Sequence, residues 1–231
     1  MVKLKEKRVI MMKYRSVFDI IGPVMVGPSS SHTAGAVRIG LIARGLFDGK
    51  PDHIDIYLYG SFMETYKGHG TDVALVGGIL GYDTDDDRIK TSLQEAEQRD
   101  IDVNFIEMFE ERSHPNTAII SMRNKEMEIS VEGISIGGGK VEIVAINGFQ
   151  IAISGNYPAL LVFHKDTFGT IGKVTNIFGD YQINVGSMQV ARKEKGELAL
   201  MTCELDDDIP QEVLGKIKEI DGVQTVSLMG D

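Results

Sequence analysis

Apolar positions along the 231-residue chain recur at two different spacings, and the changes from one to the other outline the elements. Over residues 34–47, Val37, Leu41, Ile42 and Leu46 fall on one face at helical spacing, which predicts a helix. Ile54, Ile56 and Leu58 alternate with other residues, which predicts a strand with one buried face. By the same criteria 73–80 and 89–99 read as helices, and 103–108, 118–122, 127–136 and 141–146 as strands. Gly137-Gly138-Gly139 is a turn joining the last two strands. A phosphate-binding reading of those glycines fails because no helix follows them.

Asn156-Tyr157-Pro158 breaks the pattern and marks a domain boundary. Beyond it the chain reads as strand 159–164, helix 169–181, strand 183–192, a turn at Lys195-Gly196, strand 197–205, helix 210–220 and strand 223–228. That βαββαβ order in about seventy residues is the ferredoxin-like topology. The predicted class is α+β, with a mixed α/β domain over 12–155 and a ferredoxin-like domain over 158–231. Met11 and Met12 suggest that residues 1–11 are an N-terminal extension.

Composition narrows the function without choosing it. Apolar residues make up 42% and charged residues 25% of the chain, values of an ordinary soluble domain protein. No apolar run approaches the roughly 20 residues that span a bilayer, and the stretch after Lys3, Lys5, Lys7 and Arg8 is too short for a signal peptide, so a cytoplasmic protein is expected. A net charge of −10 argues against nonspecific nucleic-acid binding. The runs Asp85-Asp86-Asp87 and Asp206-Asp207-Asp208 read as solvated loops. A single cysteine, Cys203, excludes an internal disulfide, a thiolate zinc site and an iron–sulfur cluster held by this chain alone. Its place in a strand makes it a buried, inert thiol.

The candidate chemistry is concentrated in three short polar segments. Gly27-Pro28-Ser29-Ser30-Ser31-His32-Thr33 sets hydroxyls and an imidazole just ahead of a helix, where backbone N–H groups and the helix dipole favour a small anion such as a carboxylate or phosphate. Gly68-His69-Gly70-Thr71-Asp72 places a second imidazole between glycines, with Thr71 or Asp72 available to cap the next helix. Ser113-His114-Pro115-Asn116-Thr117 sets a third histidine and an amide at the start of a strand. All three histidines are expected in loops outside any amphipathic pattern.

These segments carry a resemblance. Ser16-Val17-Phe18-Asp19-Ile20-Ile21-Gly22-Pro23, followed by the Gly-Pro-Ser-Ser-Ser-His-Thr, Gly68–Asp72 and His114–Thr117 segments in that order, resembles the β chain of the two-chain, iron–sulfur-dependent L-serine dehydratases. The likeness covers nearly all of residues 12–231. The C-terminal block, through His164 to Gly172 and Ile183-Asn184-Val185, resembles an ACT domain, although Phe168 stands where that family usually has proline. The first domain also resembles the allosteric substrate-binding fold of some phosphoglycerate dehydrogenases.

The resemblance implies elimination of water from L-serine to give aminoacrylate, which hydrolyses to pyruvate and ammonia, as in serine catabolism feeding gluconeogenesis. It implies a [4Fe-4S] cluster held by a separate α chain, whose open iron acts as a Lewis acid on the hydroxyl, and no metal held by this chain. It further implies His69 as first choice for the base that removes the Cα proton, with His32 as second choice or as a carboxylate donor. Ser29, Ser30, Ser31 and Thr33 would bind the carboxylate, with Gly68, Thr71, Asp72, His114 and Asn116 completing the substrate site. His164, Asp166 and Asn184 would form an allosteric serine site between two ACT domains, and hence a homodimer. Two other readings compete: a purely regulatory, amino-acid-sensing subunit, and a mononuclear metal hydrolase using His32, His69 and His114, whose spacing matches no compact metal motif.

Overall fold

A computed structural model describes residues 24–229; the 1–11 extension and the Ser16–Pro23 segment lie outside them. The first element is a π-helical turn, Ser30–Ala34, which runs directly into helix α1, Gly35–Gly45. Strand β1, His53–Tyr59, leads into α2, Gly60–His69, and α3, Thr71–Ile79. A 3-10 turn, Asp87–Thr91, precedes α4, Ser92–Gln98. Five strands follow: β2 Asp102–Met108, β3 Thr117–Arg123, β4 Glu128–Gly137, β5 Lys140–Ile146 and β6 Phe149–Ile153. They form one sheet in the order β2-β1-β3-β4-β5-β6, with β1 and β2 parallel and the other pairs antiparallel.

The alternation seen in the sequence sets the layers. Ile54, Ile56 and Leu58 of β1, Ala118, Ile120 and Met122 of β3, and Ile129 and Val131 of β4 are buried in one core with α1, α2 and α3, while Asp55, Ser121 and Glu132 lie in the alternate positions. One face of an antiparallel sheet packed and the other wetted produces this pattern. Helices α1 and α3 meet backbone to backbone at two glycines. A Cβ on Gly78 would lie 2.1 Å from Val37 O, and one on Gly40 would lie 2.3 Å from Leu75 O. That contact holds the Ser-rich turn ahead of α1 against the start of α3.

The second unit contains β7 Ala159–Lys165, α5 Thr170–Asp180, β8 Val185–Arg192, β9 Leu198–Leu205, α6 Gln211–Lys218 and β10 Val223–Met229. Its antiparallel sheet has the order β10-β7-β9-β8. Leu160, Val162, Met201 and Cys203 pack on one face under α5 and α6. Leu161 and Leu200 point the other way and join the first domain's core. The two units therefore share apolar packing. Polar ties add to it: Glu204 accepts from Ser154 Oγ at 2.6 Å, and Gln189 Oε1 accepts from Ala152 N at 2.9 Å.

Two elements differ from the sequence reading. Residues 60–69 form a helix that the sequence reading left unassigned, and His69 ends it instead of lying in a loop, because Phe62 and Tyr66, one turn apart, bury against the sheet while Gly68 disguises the period. Residues 149–153 add a sixth strand, with Phe149, Ile151 and Ile153 buried. No helix among the described residues is long and apolar enough to cross a membrane.

Candidate active site

His32 lies inside the π-helical turn and is only 9% exposed. Ser29 precedes the turn as its N-cap, and its Oγ accepts from His32 N at 3.2 Å. The ring is held at both nitrogens. Nδ1 lies 3.0 Å from Ser31 Oγ and 3.4 Å from Ser29 Oγ, and Nε2 lies 3.0 Å from Ser61 Oγ. Hydroxyls can donate or accept, so this cradle suits a neutral imidazole in either tautomer. Burial, and then the charge of nearby His69, lowers the His32 pKa from its ordinary 6.5.

His69 is the last residue of α2, which ends because Gly70 adopts a left-handed conformation at φ 69°. Its ring meets that of His32 edge to face, with centroids 5.0 Å apart. Phe62 packs against the opposite partner, its ring centroid 5.3 Å from that of His32. His69 itself is exposed, and Thr33 Oγ1 reaches its carbonyl at 3.5 Å. The structure thus brings the first two polar segments together, with one histidine caged and the other open to a ligand. A Cβ on Gly68 would meet nothing within 4 Å, so the space beside that residue is open.

The third segment is joined through backbone. Phe62 N donates to Pro115 O at 3.4 Å. His114 Nδ1 accepts from Asn116 N at 3.1 Å, so a neutral His114 carries its proton on Nε2. Asn116 Nδ2 donates to Ser135 O at 3.2 Å, which leaves its amide oxygen as the group available to a ligand.

Thr71 and Asp72 do not cap α3 as expected. The cap position is Gly70, with no side-chain bond, because the αL turn already fixes the chain's entry. Thr71 is fully buried and its Oγ1 has no partner, so its side chain faces the interior. Asp72 Oδ1 accepts from Val73 N at 2.8 Å, and burial raises its pKa.

Two residues escaped sequence reasoning. Ser61 holds His32, and its only sequence signal is a Gly-Ser pair at the junction of a strand and a helix. Ser135, on β4, is buried with an unpartnered hydroxyl; a Cβ on Gly35 would come within 2.1 Å of that oxygen, so the glycine lets the turn seat on the sheet.

In the second unit, His164 is 2% exposed; its Nδ1–H donates to Lys165 O at 2.8 Å and its Nε2 has no partner. Asp166 accepts from Gly196 N and pairs with Arg192 at 2.8 Å, and these two contacts, the Gly196 N–H first, hold its carboxyl below the usual range. Asn184 precedes the far end of β8 and bonds Asp206. One chain does not bring Asn184 to Asp166: the eight residues of β8 separate them by roughly 25 Å.

Comparison with known proteins accords with this arrangement. Residues 16–144 match the family described as serine dehydratase beta chain, and residues 159–222 match the ACT domain family. The chain is 54% identical over 220 residues to a probable L-serine dehydratase beta chain of Bacillus subtilis, covering 95% of this chain and all of the relative. It is 38% identical over 213 residues to the L-serine dehydratase beta chain of Peptoniphilus asaccharolyticus, covering 91% of this chain and 96% of that one. A D-3-phosphoglycerate dehydrogenase of Methanocaldococcus jannaschii is 34% identical over 134 residues, 58% of this chain and 25% of the relative. The chain belongs to the L-serine dehydratase beta-chain family, as a lyase subunit with a C-terminal ACT domain.

Proposed function

We propose that this chain supplies one half of a site that converts L-serine to pyruvate and ammonia, the other half coming from an α chain that holds a [4Fe-4S] cluster. The observation that carries the proposal is the contrast between His32 and His69 across their 5.0 Å contact. Loss of the Cα proton and the β-hydroxyl leaves aminoacrylate, which takes a proton at Cβ to become the imine, and water then displaces its nitrogen to give pyruvate and ammonia. The weakly acidic Cα proton needs a positioned base. His69 is exposed at the end of a rigid helix and can receive that proton. His32, kept neutral by burial, places no second positive charge beside it.

The Ser-rich turn takes the substrate carboxylate. The first N–H groups of a helix have no intrahelical partner and sit at the positive end of its dipole. Here the π-helical turn and α1 run on continuously from Ser30 to Gly45, with the Ser30 and Ser31 hydroxyls at that end. The Asn116 amide oxygen is a partner for the substrate ammonium.

The donors of this chain do not fit an iron–sulfur cluster. Cys203 is buried in β9, and burial pushes its thiol up to about 12, whereas a cluster ligand must be a thiolate. Among the described residues no three His, Cys, Asp or Glu side chains are grouped to hold a metal ion. The cluster therefore belongs, in this reading, to the α chain.

The ACT unit supports a homodimer. Strand β8 is a sheet edge, and Met188 and Val190 on it are exposed. Two β8 edges paired antiparallel about a two-fold axis would bring Asn184 of one copy toward Asp166 of the other, the arrangement a serine effector site needs.

The test is anaerobic pyruvate formation from L-serine by the chain co-produced with its iron–sulfur partner. His69→Ala should abolish turnover with assembly intact. Wild-type-like turnover in that variant overturns the catalytic assignment and leaves a regulatory subunit.

A further inference from the structure

We propose that the seam between the two units is a binding site for an α-amino acid with an apolar side chain, separate from both the serine-dehydrating site and the ACT edge. A cavity of about 630 Å³ opens there, within the range of small-molecule sites. Its apolar wall combines Phe149 and Ile129 of the first domain with Phe163 and Leu198 of the ACT sheet. The two phenylalanine rings meet edge to face with centroids 6.0 Å apart.

Charge on the rim is arranged in an unusual way. Lys193, in the β8–β9 hairpin, holds its Nζ 4.9 Å from the centroid of the Phe149 ring. Glu128, Glu194 and Glu197 line the same cavity, yet among the described residues none of the four is ion-paired. Opposite charges that face one opening without neutralising each other match a zwitterion, whose carboxylate meets Lys193 and whose ammonium meets the glutamates. The side chain of that ligand then covers the apolar wall, and the Thr225 and Ser227 hydroxyls lie alongside.

The seat of the lysine is built from both units. The β5–β6 hairpin turns at Asn147 and Gly148, with φ of 48° and 77°, the left-handed pair of a tight hairpin turn. A Cβ on Gly148 would come within 3.2 Å of Lys193 Nζ, so the glycine of one unit leaves room for the cation of the other. Asp166 fixes the hairpin from behind, pairing with Arg192 and accepting from Gly196 N at 3.0 Å. Phe163 and His164 are neighbours on β7 and point to opposite faces of the sheet, so this cavity and the surroundings of His164 are different places. A ligand here would bridge the units and stabilise their packing by mass action.

The experiment is isothermal titration of the full chain with L-leucine and L-phenylalanine, alongside L-serine and 4-methyl-2-oxopentanoate. Saturable binding of the two apolar amino acids is expected, with Lys193→Gln weakening it about tenfold, the effect of losing one charge-assisted contact. Lys193 is exposed, so the variant should melt with the wild type. Replacing Glu128, Glu194 and Glu197 together with Gln should also weaken binding. The inference is overturned if neither amino acid binds, if Lys193→Gln binds them unchanged, or if the oxo acid binds as tightly as leucine. Displacement of leucine by L-serine at equal concentration would equally overturn it. None of these readings depends on turnover, so failure here and failure of the dehydratase assignment are separate results.

Discussion

The imidazoles of His32 and His69 meet edge to face with centroids 5.0 Å apart, one inside a cage of three serine hydroxyls and the other open to solvent. Two positive charges at that distance repel, and the buried ring loses more hydration on charging. Burial and the neighbouring ring both hold the His32 pKa below its ordinary value.

That coupling can be measured on the chain alone. Replacing His69 with Gln removes the second-largest cause of the lowered His32 pKa and leaves the largest, burial. The His32 value should rise yet stay below 6.5 in a nitrogen-15 NMR titration. The stability consequence has a definite sign. A folded-state pKa below 6.5 means that the unfolded chain binds more protons just beneath that pH, so His32 costs stability as the pH falls through 6.5. The slope of stability with pH in that window should flatten in the His69→Gln variant. An unmoved His32 titration would show that the two rings are not electrostatically coupled.

Most of the fold was legible because its signals are local. The alternation of Ile54, Ile56 and Leu58, and the turn and strand order after Pro158, each depend on neighbours in sequence. What stayed hidden depends on distant partners. Helix α2 escaped because Gly60 and Gly68 dilute a pattern that only Phe62 and Tyr66 anchor. Ser61 escaped because its role exists only once the helix is set 29 residues from His32 in sequence and in contact with it in space. The exchange of roles at Thr71 has the same origin: a threonine after a glycine reads as a cap, and only packing shows it fully buried.

Asp72 offers a test of burial without catalysis. Its carboxyl pKa is raised chiefly by burial, against the pull of the Val73 N–H and Lys67. In the window between the ordinary carboxylate value and the raised folded value, the unfolded chain loses a proton that the folded chain keeps. Charged Asp72 therefore costs stability at neutral pH and costs none in acid. Asp72→Asn keeps an oxygen to accept from Val73 N and removes the charge. The variant should melt about 1–3 °C higher at neutral pH, and the gain should vanish once the pH is below the ordinary aspartate value of 3.8. A gain that persists in acid would point instead to the helix or to packing.

The separation of Asn184 from Asp166 along β8 argues for a second copy. A free strand edge flanked by exposed apolar side chains is a liability that a protein ordinarily covers, and Val190 and Met188 remain 38% and 37% exposed in one chain. Antiparallel pairing of β8 with its symmetry mate would cover both, and would turn Asn184 toward the Arg192 end of the partner strand. Val190→Glu sets like charges near each other across that two-fold axis, where they repel. Sedimentation should give a dimer for the wild-type chain and a monomer for the variant. Circular dichroism should be unchanged, because the side chain, on the same face as its cross-strand partner Met201, is already 38% exposed at the sheet edge. The same variant should lose any serine effect that requires both Asn184 and Asp166, while leucine binding at the seam, which lies within one chain, should survive. A wild-type chain that sediments as a monomer at every concentration would remove the β8 interface and, with it, the shared serine site.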